Sequence, residues 1–138
     1  MMVFREWFNL SLKQKKPQKQ KISPSQWPDY VMTLVEKNFT EFITTYPIAL
    51  VDFWAPWCAP CREMAPRFRQ LSKTYTGTVA FGKIDIQNNQ HIAKRYKISG
   101  IPHIILFHNG KPLTSITGVR SIGDLKDTIE AHLKKTKK

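Results

Sequence analysis

Cysteine is scarce in this chain, acid is scarce, and long apolar runs are missing; each shortage excludes something. Only two cysteines occur in 138 residues. Two thiols cannot complete a structural zinc site alone, and the nearest histidine, His91, lies thirty positions beyond Cys61. A bridge between residues three apart closes too small a loop to staple a secreted scaffold. The two cysteines are therefore read as chemical rather than architectural. No segment approaches the ~18 consecutive apolar residues of a membrane span. The opening Met1-Met2-Val3-Phe4 lacks both a long apolar stretch and a small-residue cleavage site, which makes it a poor secretory signal. A reducing cytoplasm is the expected compartment.

The shortage of acid leaves 22 basic against 10 acidic residues and a formal charge of +12. That excess is unevenly spread. Residues 1 to 27 hold six basic residues and one acidic, residues 134 to 138 hold four lysines, and the long middle segment holds twelve against nine. A nearly balanced middle without basic clusters between aromatics argues against nucleic acid as a partner. Three units follow: a basic, aromatic-containing extension over 1 to 28, a domain over 29 to 134, and a lysine-rich tail over 135 to 138. One core of ordinary size fits this length.

Residues 13 to 28 offer only Ile22 and Trp27 as large apolar side chains, so a flexible arm is expected there. Ahead of it Phe4, Trp7, Phe8 and Leu12 recur at helical spacing. Such a face fits an extension resting on the domain or in solvent, a weak membrane contact, or an organellar targeting segment.

From Tyr30 onward strand and helix signals alternate. A strand is expected over Tyr30 to Val35, then a helix opened by Asn38 and Glu41. Strand Ile48 to Trp54 leads into a helix from Cys58 to Tyr75 that stops near Gly77. Strand Thr78 to Ile86 leads to a helix capped by Asn88 or Asn89 and carrying Ile92, Ala93 and Tyr96. Strands His103 to Phe107 and Leu113 to Thr117 are joined through Asn109-Gly110, a hairpin signal. Ser121 and Asp124 open the last helix. The order implies an α/β fold with one mixed sheet and helices on both faces.

The chemistry centres on Trp57-Cys58-Ala59-Pro60-Cys61. A thiolate rather than a thiol attacks a disulfide, and a cysteine at a helix start meets unpaired N–H groups and the positive helix end. Cys58 occupies that place; Cys61, one turn on, can reach it, is expected to sit deeper and keeps its proton. Pro60 is tolerated in the first turn, where its missing N–H has no partner to lose. Alternation puts Asp52 on the same strand face as Ile48, Leu50 and Trp54, where burial would raise its pKa and suit it to shuttling a proton. Lys83, beside Val79 and Phe81 on its own strand face, is its candidate partner. A water-facing edge position is the alternative for both. At Ile101-Pro102 the residues alone favour a trans turn, because about one X-Pro bond in twenty is cis.

Val51-Asp52-Phe53-Trp54-Ala55-Pro56-Trp57-Cys58-Ala59-Pro60-Cys61, followed by Pro66, Lys83, Gly100-Ile101-Pro102, Phe107-His108-Asn109-Gly110 and Gly118, resembles the thioredoxin family over about residues 31 to 133. The resemblance implies a thioredoxin fold, a central mixed five-stranded sheet flanked by four helices, with Pro102 cis. It also implies roles. Cys58 would attack a client disulfide, Cys61 would resolve the mixed disulfide, and Asp52, with Lys83 nearby, would take the Cys61 proton. Trp57, Ala59, Pro60, Ile101, Pro102 and Gly118 would form the docking platform, and Pro66 would kink the second helix. No cofactor is implied. The implied partners are disulfide-containing proteins and a flavin-dependent thioredoxin reductase, with the chain a monomer. The implied function is a protein-disulfide reductase and electron carrier; a disulfide oxidase or isomerase of the same fold, or a targeted redox scaffold, are the alternatives. Two positions depart from the usual family pattern, Ala59 for glycine and His103 for threonine. A protonated His103 touching the pair would favour the thiolate and shift the poise toward oxidant; a bystander strand residue is the alternative. The remaining histidines, His91, His108 and His132, are expected to face solvent.

Overall fold

The computed structural model describes residues 22–136. Strands β1 (Met32–Leu34), β2 (Ile48–Trp54), β3 (Ala80–Asp85), β4 (His103–His108) and β5 (Lys111–Thr117) alternate with helices α1 (Glu36–Thr45), α2 (Ala59–Thr74), α3 (Gln90–Arg95) and α4 (Ile122–Thr136). The strands form one sheet in the order β1-β3-β2-β4-β5. The first three run parallel to one another, while β4 is antiparallel to both β2 and β5. This is the mixed sheet with four helices that the sequence implies.

Central β2 is covered on both faces, which is why its burial is nearly continuous rather than alternating. Ile48 and Leu50 pack with Met64, Phe68 and Leu71 of α2 and with Leu125 and Ile129 of α4. Ala49, Val51 and Phe53 turn the other way, onto Phe39, Phe42 and Ile43 of α1 and Ile92 of α3. Alternation along one strand thus sorts the helices into two pairs. Close approach of α1 depends on Gly82 of β3: a Cβ there would lie 2.7 Å from Leu34 Cδ1 and 3.0 Å from Phe42 Cε1.

Element ends differ from expectation in instructive ways. Helix α1 starts at Glu36, ahead of the expected Asn38. Asn38 instead sits inside the first turn, and its Oδ1 accepts from the Val35 N–H at 2.7 Å, serving the same orphan donors from within. Asn89 occupies the N-cap of α3 but makes no side-chain cap bond. Its Oδ1 accepts from the Glu36 N–H at 2.9 Å while Glu36 Oε1 accepts from the His91 N–H at 3.0 Å, so two helix starts cap each other across the fold. Ser121 does cap α4, accepting from the Asp124 N–H at 3.1 Å. Asn109 and Gly110 both have positive φ, 51° and 83°, as the tight β4–β5 hairpin requires.

At the front of the described chain, Pro24–Gln26 form a short 3-10 turn and Trp27 packs on Tyr46 with ring centroids 5.1 Å apart. Trp27, expected in the flexible arm, is therefore part of the folded body. At the other end α4 continues to Thr136, two residues past the expected boundary. The aromatic face expected of Phe4, Trp7 and Phe8 lies outside the described residues.

Candidate redox site

Strand β2 delivers the chain to the end of the central strand at Trp54, and a turn through Ala55, Pro56 and Trp57 leads into α2. Arg62 secures that turn by donating from Nη1 to Pro56 O at 2.8 Å. Cys58 is the N-cap of α2, one position outside the helix in which it was expected. The offset matters, because the cap side chain faces the free N–H groups of the first turn. Its Sγ accepts from the Cys61 N–H at 3.2 Å.

Cys58 and Cys61 are joined as a disulfide, with Cα atoms 5.3 Å apart. Both are enclosed, at 5 % and 3 % exposure. Burial therefore barely separates them; position on the helix does. When the bridge is reduced, a negative charge on Cys58 gains the Cys61 N–H and the positive helix end, whereas Cys61 lies one turn inside.

The Ile101-Pro102 bond is cis, as the resemblance implies and contrary to the base-rate expectation. Ile101 O stands 3.9 Å from Cys58 Sγ, and Ile101 packs with Trp54 and Ile86 on the cluster of Ala55, Cys58 and Cys61. Gly118, with φ of 93°, donates its N–H to Pro102 O at 2.8 Å and so ties the end of β5 to the proline turn. Trp57 is 67 % exposed beside the pair, Ala59 and Pro60 are exposed, Ile101 and Gly118 are half-buried, and Pro102 is buried.

Asp52 is 4 % exposed on the β2 face shared with Ile48 and Leu50. Its Oδ1 has no hydrogen-bond partner among the described residues. Burial pushes its pKa up to about 7, and the Lys83 charge pulls against that rise. The two residues are register partners on β2 and β3, so their side chains leave the sheet on one face. Lys83 also lies over the Trp54 ring, its Nζ 5.3 Å from the centroid. Asp52 and Lys83 open together into a cleft beside α2 that neither cysteine lines.

His103 takes the bystander place on its strand. It alternates with Ile104 on β4 and therefore shares the face of Phe53 and Ile105, opposite that of Asp52. Its Nδ1 is 2.8 Å from Thr117 Oγ1, its ring meets Phe53 edge-on, and burial lowers its pKa. A neutral imidazole on that face does not supply the positive charge envisaged for the thiolate. Of the other histidines His91 is exposed, whereas His108 and His132 are half-buried, with His132 Nδ1 2.8 Å from Thr128 O. Sequence reasoning missed Arg62 and Ile86; the only signal for Arg62 was its place directly after Cys61.

A cysteine pair that closes as a disulfide at a helix start, just past a strand that carries a buried carboxyl, defines a thiol–disulfide oxidoreductase. A family model described as Thioredoxin matches residues 30–131. The chain belongs to the thioredoxin family. It is 36 % identical over 104 residues to a thioredoxin of Buchnera aphidicola subsp. Acyrthosiphon pisum, covering 75 % of this chain and 96 % of that protein. It is 33 % identical over 103 residues to a thioredoxin of Staphylococcus saprophyticus, covering 75 % and 98 %. Among solved structures, a mutant thioredoxin from Halobacterium salinarum NRC-1 superposes with a TM-score of 0.71 at 28 % identity, over 81 % of this chain and 95 % of that one. The activity is thioredoxin-like dithiol/disulfide exchange through Cys58 and Cys61, that of a protein-disulfide reductase, with disulfide-containing proteins as partners. No helix among the described residues is long and apolar enough to cross a membrane.

Proposed function

We propose that the pair works as a reductant with a fixed division of labour. The observation that carries this is the Cys58 sulfur at the N-cap, accepting the Cys61 N–H. Cys58 thiolate attacks one sulfur of a client disulfide, and the client's second sulfur leaves as a thiolate. Asp52, whose pKa near 7 lets it exchange a proton at neutral pH, takes the proton of Cys61. Cys61 thiolate then attacks Cys58, releasing the client's first sulfur and closing the Cys58–Cys61 bridge. Two electrons pass to the client.

Exposed Trp57, Ala59 and Pro60 together with Ile101, Pro102 and Gly118 form the apolar platform that receives the client, whose chain pairs with the Ile101 backbone in strand fashion. A flavin-dependent reductase regenerates the dithiol, the chain acts as a monomer in the cytoplasm, and the basic segment ahead of Ile22 adds at most weak contact with membranes. The division into extension, domain and short lysine tail belongs to the same reading. An oxidase reading gains nothing from His103, which faces away from Asp52 and is held neutral by burial.

Full-length Cys61→Ser protein, reduced and mixed with disulfide-containing proteins, is expected to accumulate mixed disulfides through Cys58, seen as reductant-sensitive adducts by mass spectrometry. Adducts that form equally well in the Cys58→Ser protein would assign the attack to the wrong sulfur.

A further inference from the structure

The cleft beside Asp52 has a second character that disulfide exchange does not use. It encloses about 470 Å³, within the range of small-molecule sites, and lies between α2 and the residues that lead into β1. Its walls are apolar where Val31, Ala65, Pro66 and Phe68 line it, and Tyr30, 56 % exposed, flanks them with an aromatic ring. Pro66 sits inside α2. Lacking an N–H, it leaves the Arg62 carbonyl without its usual helical donor.

Polar groups are graded by depth. Innermost is Asp52, 4 % exposed, with an oxygen that has no partner. Lys83 is half-buried, and Arg69 and Lys73 are exposed on α2. None of these three cations is in an ion pair among the described residues. Three positive groups over an apolar wall, with an unsatisfied acceptor at the bottom, describe a ligand rather than a partner chain. Such a lining matches a molecule with an anionic group at the outer end, a flat apolar body, and a hydroxyl or N–H donor at the inner end.

We propose that this cleft binds a small amphipathic anion of that form, a hydroxyaryl carboxylate or sulfonate in chemical class, with Arg69 and Lys73 holding the anion and the Asp52 carboxyl accepting from the donor. The site is separate from the platform around Trp57, since none of that platform's residues lines it.

Three probes separate the contributions: 6-hydroxynaphthalene-2-sulfonate carries both polar ends, naphthalene-2-sulfonate lacks the donor, and 2-naphthol lacks the anion. Titrated into the oxidised full-length protein and followed by amide NMR, the first is expected to saturate below millimolar concentration. Its shifts should centre on Tyr30, Val31, Lys83 and the segment from Arg69 to Lys73. Each of the other probes should bind more weakly. The double variant Arg69→Ala/Lys73→Ala should weaken the hydroxysulfonate about tenfold at low salt, as expected for two partly exposed charge contacts, and leave 2-naphthol unchanged. Lack of saturation at millimolar probe, shifts centred on Trp57, or equal loss of all three probes in the double variant would each overturn the proposal. Because no step involves the cysteines, failure here leaves the redox reading untouched.

Discussion

Asp52 shows what one buried carboxyl does to a protein. Its folded pKa of about 7 lies above the ordinary aspartate value of 3.8, so between those values the native state holds a proton that the unfolded chain has released. The contribution is fully present below about pH 4 and is lost as pH rises through about 7. Asp52→Asn removes the titration. In the oxidised protein the variant should gain stability relative to wild type as pH rises from about 4 to about 8, by up to about 4 kcal/mol, measured by denaturant unfolding at each pH. A difference that stays flat with pH would mean Asp52 is already ionised throughout. Lys97 carries the opposite kind of cost. It has a φ of 53°, and the Ile98 N–H reaches Ala93 O while its own N–H reaches Lys94 O, a helix-ending arrangement that suits glycine. Lys97→Gly should raise stability by about 1 kcal/mol in thermal unfolding.

At the scale of elements, the tightest fit is between α1 and the β1–β3 pair. Gly82→Ala would press a methyl against Leu34 and Phe42, both nearly fully buried, and neither can retreat into solvent. A loss of about 1–3 kcal/mol in chemical denaturation is expected, with exchange of disulfides otherwise intact. Helix starts show how far local signals reach. Ser121 caps its own helix, as its spacing from Asp124 indicated, because the bond spans three residues. Glu36 and Asn89 serve each other's helices across 53 positions, so their partners cannot be read from neighbours. The edge strands are also differently made: β1 is three residues long, and β5 carries Pro112, tolerable at a sheet edge where one side of the ladder is unpaired.

For the whole molecule, Trp27 ties the front of the described chain to the body. Deleting residues 1 to 21 should leave the reduction of a soluble disulfide protein and the unfolding midpoint nearly unchanged. Deleting 1 to 27 removes the Trp27 ring from Tyr46 and should lower stability by about 1–2 kcal/mol while the reduction rate at low temperature stays near that of the full chain. A large fall in rate from the shorter deletion would tie the extension to the redox site. The two core clusters meet at the sheet, and the redox pair sits at the end of the central strand, so the site rests on elements drawn from nearly the whole domain.

Cys58-Ala59-Pro60-Cys61, the strand ahead of it, the Asn109-Gly110 turn and the burial of Asp52 were readable along the chain, since each depends on spacing of two, three or four residues. Pairing of Asp52 with Lys83 followed from the strand faces and the family pattern, and register confirmed that they are neighbours. The side of the sheet taken by His103, the inclusion of Trp27 and the near-equal burial of the two cysteines came only with the folded sheet. Those features depend on which distant surfaces close over a residue, and no local pattern encodes that.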